Sequence, residues 1–457
     1  MQRAVPGDDE RRRVLELIGR YGWNATAFQT LETGYAYFFA DEACVAYVDT
    51  GRAWVAAGAP IASEAALART AEAFAAAARG AGRRACFFAT EERFRRLTDG
   101  ITSSLLIGEQ PIWDPREWAR TVARHRSLRE QLRRARAKGV RVRRLEPAEL
   151  GEPAVRAAIP RLVDRWLATR GLPPMEFLVR IELFEFLEHR SCFVAELGER
   201  IVAFAGVVPV PARKGWFVED LVRDPEAPNG TSELLVDAVM RWAAERDSGY
   251  LTLGLAPLAG NVPAPLRFAR RSTRMLYDFG GLARYKAKLR PSSWSPIYLS
   301  YARGQNAVVS LVDALAAFAP GGFVRFGWRA LVRGPSGLLR VLTVLLVPWT
   351  LALAAAPVDP WFGFAGVKWA WVVFDALLAT ALFRLLKRPT WELALVLSLA
   401  VTADAALTAV QALHWNLPQA RGAFELAVTV VACAAPALAA IVLWGTTARL
   451  RKLRMLP

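Results

Sequence analysis

Residues 216–258 of the chain, WFVEDLVRDPEAPNGTSELLVDAVMRWAAERDSGYLTLGLAPL, predict a strand, a tight turn, a helix and a second strand. The first strand carries Asp220 and Arg223 towards its end, and the PNG turn then begins the helix. Glu233 lies in the first turn of that helix, where a negative charge is favourable. Polar groups at neighbouring strand ends form the ligand sites of open α/β sheets. This stretch therefore predicts an α/β unit with a binding site at its strand ends.

The rest of residues 1–305 repeats this alternation of strands and helices. Short apolar runs bounded by Gly, Asp or Glu are typical of strands. We predict strands at 35–39, 43–48, 53–57, 84–90, 191–197, 200–209, 215–222 and 250–254. We predict helices at 64–79, 116–137, 153–170, 177–189 and 231–246. This order predicts an α/β (α+β) fold of two similar units side by side, one in residues 1–115 and one in residues 116–305.

The chain is 54% apolar and yet has a net charge of +17. The two values are compatible because the apolar residues are concentrated in the C-terminal quarter. Four apolar stretches, at 338–356, 367–386, 391–412 and 424–446, are each long enough to cross the ~30 Å hydrocarbon core of a bilayer. The sequence thus predicts four transmembrane helices in residues 337–457. A basic juxtamembrane linker at 306–336 joins them to the globular part.

Basic residues mark one side of these apolar stretches. They cluster before the first stretch, between the second and third, and after the fourth, whereas the other two connections hold only Arg421. Cytoplasmic loops carry such an excess of Lys and Arg. We therefore expect a multi-pass protein of the cell inner (plasma) membrane, with both termini and the globular part in the cytoplasm. For Asp375 and Asp404, inside the second and third stretches, we favour contact with a neighbouring helix over an ion or lipid pathway.

Cysteine and histidine usage excludes several functional classes. The four cysteines and three histidines are widely spaced, and no CxxC pair occurs. A zinc site, a Cys/His nucleophile and a secreted disulfide framework are therefore not expected, and we predict no metal. The N-terminus, MQRAVPGDDERRR, lacks the apolar region of a signal peptide.

Residues 116–144 contain twelve basic residues, interrupted by only two acids, Glu117 and Glu130. This density exceeds that of an ordinary solvated helix face and indicates a polyanionic partner. Charge alone does not distinguish RNA from an anionic membrane. Our candidates for contact with RNA are Arg129, Arg133, Arg136 and Lys138.

Four motifs occur in order along the globular part. They are DLVR at 220–223, PNG at 228–230 followed by Glu233, GLAPL at 254–258, and FGGLARYKAKLRPSSW…YLSY from 279 to 301. This set resembles the catalytic part of the bacterial lysylphosphatidylglycerol synthase family, also called multiple peptide resistance factors. The resemblance covers about residues 15–305. The chain departs from the family pattern at Val222, where the family has Met, and at Gly280, where it has Lys.

The resemblance implies a tandem GNAT-like acyltransferase fold. It implies transfer of an aminoacyl group, lysyl or alanyl, from aminoacyl-tRNA to a headgroup hydroxyl of phosphatidylglycerol, which changes the surface charge of the membrane. Asp220 and Arg223 match the family's functional Asp and Arg and are the predicted catalytic residues. The predicted substrate-binding residues are Asn229, Gly230, Glu233, Gly254, Pro257, Lys286, Lys288 and Arg290. The partners implied are aminoacyl-tRNA as co-substrate, an anionic phospholipid and the membrane, with no further cofactor and no prediction of oligomeric state.

The chemistry agrees with the residues present. An aminoacyl-tRNA ester is already activated, so a lipid hydroxyl can attack it directly once both are positioned and the oxyanion is stabilised. A covalent nucleophile is not required, and the sequence has no GxSxG elbow. Asp220 would orient the α-ammonium or assist proton transfer, and Arg223 would hold a lipid or tRNA phosphate.

The sequence fits three other functions less well. An acyl-CoA-dependent GNAT N-acyltransferase needs a Gly-rich pyrophosphate loop, whereas RDPEAPNGT has one glycine and two prolines that lack N–H donors. A Fem-type peptidoglycan aminoacyltransferase lacks this order of motifs. A non-catalytic membrane scaffold or lipid transporter would not need Asp220 and Arg223.

Overall fold

The computed structural model of the protein describes residues 7–169, 175–272, 278–319, 321–323, 325–326, 337–358, 361–420 and 422–455. The chain divides into two compact units. The first comprises Met1–Leu167 and Pro174–Phe323, and the second comprises Val324–Pro457 with Ala168–Pro173. Each unit is described by itself below.

The first unit is built on a 12-stranded mixed sheet. In chain order its strands are β1 (Ala36–Ala40), β2 (Ala43–Asp49), β3 (Ala53–Ala57), β4 (Arg84–Glu91), β5 (Thr102–Trp113), β6 (Val140–Arg144), β7 (Ser191–Leu197), β8 (Arg200–Val210), β9 (Gly215–Arg223), β10 (Leu251–Thr252), β11 (Ala256–Pro257) and β12 (Ser293–Ala302). Their order across the sheet is β1-β2-β3-β4-β12-β5-β10-β9-β8-β7-β6, and β11 pairs with β5. Because β12 is inserted between β4 and β5, the sheet is continuous from the first half of the unit to the second. The predicted boundaries at 115/116 and 305/306 stay predictions.

Helices cover this sheet. They are α1 (Asp8–Tyr21), α2 (Leu67–Gly80), α3 (Glu92–Leu97), α4 (Trp118–Arg124), α5 (Arg126–Ala137), α6 (Pro153–Ala168), α7 (Thr231–Ala244), α8 (Ala264–Ser272), α9 (Phe279–Lys288) and α10 (Ala307–Phe318). In α5, Leu128, Leu132 and Ala135 are buried at the i, i+4, i+7 spacing of an amphipathic helix. Residues 307–318, predicted as part of a linker, form α10.

Two element predictions in this unit are wrong. The helix predicted at 177–189 is absent: within this range the structure has only a short 3-10 turn at Leu187–His189. Phe177 is instead buried against the rings of Tyr35 and Phe88, and Glu182 accepts a hydrogen bond from the Thr33 hydroxyl at 2.6 Å. These tertiary contacts outweigh local helix propensity. The predicted helix at 116–137 is divided at His125, whose backbone is extended, into α4 and α5.

The second unit is helical. Its helices are α11 (Gly337–Ala355), α12 (Ala365–Lys387), α13 (Trp391–Gln411), continued by a π turn and a short helix to Gln419, and α14 (Ala423–Met455). Buried leucines from several helices form its core, including Leu382, Leu397 and Leu443. Asp375 of α12 and Asp404 of α13 are also buried.

The prediction of four membrane-spanning helices is corrected to three. In the described part of the chain, Ala365–Lys387, Trp391–Gln419 and Ala423–Arg451 are long and apolar enough to cross a membrane, by length and composition. The first predicted stretch is a shorter apolar helix, over Leu339–Ala355 of α11. At 1.5 Å per residue, all 19 residues of α11 together are about 28 Å long, slightly less than the ~30 Å hydrocarbon core. The predicted mixed α/β fold followed by apolar helices is otherwise confirmed.

Candidate active site

The sheet opens on one side of β9. β10 pairs with β9 only at Trp216 and Phe217. The segment that follows β10 turns away from β9 and, as β11, pairs with Gly108 and Glu109 of β5. The C-terminal half of β9 is hydrogen-bonded to β8 on its other side. Among the described strands, none pairs with β9 beyond Phe217 on the open side. Asp220 lies on the strand that borders this split. The binding site expected at the strand ends stays a prediction.

Lys286 stabilises the chain that forms the other side of the split. Its Nζ donates hydrogen bonds to the carbonyl oxygens of Leu253, Gly254 and Leu255 at 2.8, 2.8 and 2.9 Å. The side chain is buried, and burial lowers the pKa of Lys286 to about 7. An ammonium group has three N–H donors, and all three are used by these carbonyls. In this arrangement none is left for a substrate phosphate, so the geometry gives Lys286 a positioning role.

Gly254 and Pro257 also shape this chain segment. Gly254 has a φ of +71°, and a Cβ there would lie 2.8 Å from the Phe217 ring, so a larger residue would clash. Pro257 is half-buried and is paired with Gly108 in β11. Both residues fix the course of the backbone at the split.

The side chain of Asp220 is buried. It lies opposite Gly206 of β8, where a Cβ would come within 3.3 Å of the Asp220 carboxylate. Burial, followed by repulsion from Glu219, raises the pKa of Asp220 to about 8, against the opposing effect of Arg190. A carboxyl with this pKa changes its protonation state near neutral pH, as a general base or acid must.

A bulge in β9 brings a second carboxyl to this place. Val207 pairs with Val218 and Gly206 pairs with Asp220, so Glu219 is the extra residue of the strand. Neighbouring residues of a regular strand point to opposite faces, and a bulge re-aims them. Glu219 and Asp220 therefore both interact with Arg190.

Glu32, Glu219, Asp220 and Arg190 form an acidic cluster. Arg190 makes an ion pair with Glu219, and their side chains are only 3% and 2% exposed. The pKa of Glu32 is raised well above its usual value, first by burial and then by Glu219. Oε1 of Glu32 and Oε1 of Glu219 are buried without a hydrogen-bond partner in the described part of the chain. Three carboxyl groups thus share one guanidinium, and the cluster is suited to binding a cation.

Sequence reasoning missed Glu32, Arg190 and Glu219. Glu32 follows a 3-10 helix far from the DLVR motif, and Arg190 directly precedes β7. The only indication in the sequence was that Glu219 is next to Asp220. In a regular strand, however, neighbouring side chains point to opposite faces of the sheet, which would keep the two carboxyl groups apart.

Arg223 lies three residues beyond Asp220, about 10 Å along the strand. Burial raises the pKa of the Tyr285 hydroxyl, the charge of Glu233 raises it further, and the nearby Arg223 guanidinium opposes this shift. The described residues show no ion pair between Asp220 and Arg223, so the two predicted catalytic residues are not a structural salt bridge. Arg223 and Glu233 instead both lie within electrostatic range of the Tyr285 hydroxyl.

The PNG turn packs against the basic helix. Gly230 has a φ of +94°, and a Cβ there would lie 2.4 Å from the backbone oxygen of Gln131 in α5. Asn229 is exposed and Glu233 is half-buried. Gly230 is therefore required for close packing of the turn on α5, which is a different role from substrate binding.

The end of α9 lines an open pocket of about 360 Å³. Its lining residues are Thr121, Arg124, His125, Ala287, Arg290, Pro291, Ser292 and Trp294. The pocket combines two guanidinium groups with an indole ring, a composition that suits a phosphorylated, aromatic ligand such as a nucleotide. Arg290 is thus a lining residue of this pocket, and Lys288 is an exposed residue in the last turn of α9.

The predicted RNA-contacting residues all lie at or near α5. Arg133 and Arg136 are 71% and 55% exposed, and they make ion pairs with Glu130 and with the buried Asp237. Arg129 donates hydrogen bonds to backbone carbonyls at the end of α4. Lys138 is exposed just after the helix. The α5 surface therefore presents guanidinium groups held in place by neighbours, which reduces the entropy lost when they bind a partner.

Comparison with known proteins identifies the family of this chain. A family model described as phosphatidylglycerol lysyltransferase, C-terminal, matches residues 15–301. The chain belongs to this family. It is similar to a phosphatidylglycerol lysyltransferase of Bacillus subtilis, with 35% identity over 121 residues, 24% of this chain. That match covers 14% of the Bacillus protein.

Two solved structures share the fold. One is the C-terminal domain of a protein from Agrobacterium fabrum described as a lysylphosphatidylglycerol synthetase, with a TM-score of 0.60 and 23% identity. The other is L-PGS from Bacillus licheniformis, with a TM-score of 0.59 and 21% identity. Each comparison covers 69% of this chain, and 99% and 98% of the respective structures. The predicted family resemblance is confirmed.

Proposed function

We propose that the protein transfers an aminoacyl group from aminoacyl-tRNA to a headgroup hydroxyl of phosphatidylglycerol. The observation that supports this most strongly is the acidic cluster around Asp220, on the strand that borders the split. Every aminoacyl-tRNA ester carries an α-ammonium group, and a buried set of carboxyls with one guanidinium provides favourable electrostatics for such a cation. Membership of the phosphatidylglycerol lysyltransferase family agrees with this acceptor.

We infer that lysyl-tRNA is the donor. A lysyl group brings two ammonium groups, and an alanyl group brings one. Glu32 and Glu219 each have a buried carboxylate oxygen without a described hydrogen-bond partner. The second ammonium group of a lysyl ester would donate hydrogen bonds to these oxygens. An alanyl ester has no second ammonium group, so the oxygens would stay unpaired, at a cost of about 1–3 kcal/mol for each buried group.

Asp220 is the proposed acid–base residue. The lipid hydroxyl attacks the ester carbonyl carbon, its proton passes to the Asp220 carboxylate, and a tetrahedral intermediate forms. The bond to the tRNA ribose oxygen then breaks, and the proton passes from Asp220 to that oxygen. Arg223, nearer the end of β9, is the proposed partner of a phosphate on the lipid or the tRNA.

The helices of the second unit support a location at the membrane that contains the acceptor lipid. We propose the plasma membrane, with the first unit on the cytoplasmic side where charged tRNA occurs.

The reaction is tested with the purified full chain in vesicles containing phosphatidylglycerol. Radiolabelled lysine is supplied as lysyl-tRNA, and chloroform-extractable label is counted. We expect Asp220→Asn to lower the rate by about 10²–10⁴-fold, the usual contribution of a general acid or base. The matched control is Asp247→Asn, because Asp247 is 89% exposed.

The possible outcomes separate the alternatives. A folded Asp220→Asn variant with full transfer would refute the site assignment. Transfer from alanyl-tRNA in preference to lysyl-tRNA would refute the inference about the donor. Turnover of acetyl-CoA without transfer from either charged tRNA would support an acyl-CoA-dependent enzyme instead.

A further inference from the structure

Helix α10 is firmly attached to the sheet along one face. Arg84 of β4 donates two hydrogen bonds to Asp313, at 2.6 and 2.8 Å, and the Asp313 side chain is only 5% exposed. Ala314 is fully buried, and the ring of Phe318 lies 5.0 Å from that of Phe88. The helix is therefore a fixed part of the first unit, and its orientation about its own axis is set.

The opposite face of α10 is apolar and exposed. Val308, Val309, Val312 and Leu315 are 68%, 41%, 43% and 45% exposed. Val308, Val312 and Leu315 follow the i, i+4, i+7 spacing of one helix face. The only charged residue of the helix, Asp313, points inward. A helix face in contact with water normally carries polar side chains, and an exposed apolar patch on a soluble surface marks an interaction site.

We propose that this face of α10 inserts into the membrane surface and orients the catalytic sheet against the bilayer. The sequence next to the helix favours lipid over a protein partner. Residues 319–336 contain Phe323, Phe326 and Trp328 among Arg325, Arg329 and Arg333. Aromatic residues mixed with arginines are typical of the interface between headgroups and acyl chains, where arginines attract anionic lipids.

The chain length limits how far α10 can lie from the apolar helices. Eighteen residues separate Phe318 from Gly337, the start of those helices. Even fully extended, such a segment spans only about 60 Å. An apolar face joined by such a segment to helices in lipid meets lipid at a raised effective concentration. The proposal requires neither charged tRNA nor catalysis, so it does not depend on the proposed function.

The test measures the environment of the exposed face directly. Val312→Cys is made in the full chain with Cys433→Ser, because Cys44, Cys86 and Cys192 are buried. The thiol is labelled with an environment-sensitive fluorophore, and the protein is reconstituted into phosphatidylglycerol-containing vesicles with or without brominated acyl chains. The control probe is placed at Asp247→Cys. We expect the Val312 probe to emit at shorter wavelength and to lose emission in brominated lipid, while the Asp247 probe does neither.

Two results would overturn the proposal. If both probes behave as in water, the face is not inserted. If the Val312 probe shifts to shorter wavelength but is insensitive to bromine, and the shift disappears when the protein is diluted in excess lipid, a second copy of the chain covers the face. Leu315→Cys, one turn along the same face, repeats the measurement independently of any local effect of the first substitution.

Discussion

At the scale of single residues, the balance of charge around Asp220 determines its proton affinity. Burial and Glu219 raise its pKa, whereas Arg190 lowers it. In the proposed reaction the ionised form accepts the proton from the lipid hydroxyl, so the rate increases with pH as Asp220 deprotonates around a pKa of about 8. The protein would thus work on the rising part of its pH profile at neutral pH.

Changing Glu219 tests this balance. Glu219→Gln removes the repulsive charge, so the pKa of Asp220 should fall and the rising limb of the pH–rate profile should move to lower pH. Arg190→Gln removes the attractive charge, so the limb should move to higher pH. Single-turnover rates of aminoacyl transfer, measured from pH 5 to 9, locate the rising limb for each variant. A profile unchanged in both variants would show that a different group controls the reaction.

The sequence predicted Asp220 but not its surroundings. The DLVR motif identifies the aspartate by resemblance. Glu32 and Arg190, however, lie 188 and 30 positions before it in the chain, and only the folded sheet brings them together. The bulge at Glu219 is a property of how β9 pairs with β8, and hydrophobic alternation within one strand does not reveal it.

At the scale of secondary-structure elements, the split beside β9 depends on the segment after β10. A strand was predicted over 250–254, but ladder pairing ends at Thr252, and the next three carbonyls are bound by Lys286 instead. The sequence showed Lys286, Lys288 and Arg290 as an alternating basic run. It did not show that Lys286 lies on the buried face of α9, because a Lys in such a run is ordinarily exposed.

Replacing Lys286 should therefore act on stability as well as on activity. Lys286→Met removes the donor for three carbonyls, and each buried group left unsatisfied costs about 1–3 kcal/mol. The matched control is Lys288→Met, two positions along the same helix and exposed. We expect a lower thermal unfolding midpoint and loss of transfer for Lys286→Met, and an unchanged unfolding midpoint for Lys288→Met. Equal midpoints for both variants would contradict the positioning role.

At the scale of the whole molecule, a net charge of +17 would attract two different polyanions, RNA and an anionic lipid surface. We propose a different surface for each of them. Arg133 and Arg136 on α5 are exposed but held by ion pairs, whereas the apolar face of α10 carries no charge at all. Composition alone predicted a basic protein at a membrane. The separation of these surfaces follows only from the way α5 packs on α7 and α10 packs on β4.

The salt dependence of tRNA binding tests the assignment of α5. Each Lys or Arg that contacts a phosphate adds about one to the slope of log affinity against log salt concentration. Arg133→Gln combined with Lys138→Gln should therefore lower the slope by about two and weaken binding at low salt. Arg12→Gln with Arg20→Gln on α1 removes the same charge from exposed positions elsewhere. If the α1 double variant lowers the slope as much as the α5 variant does, tRNA responds to net charge only and α5 is not its binding surface.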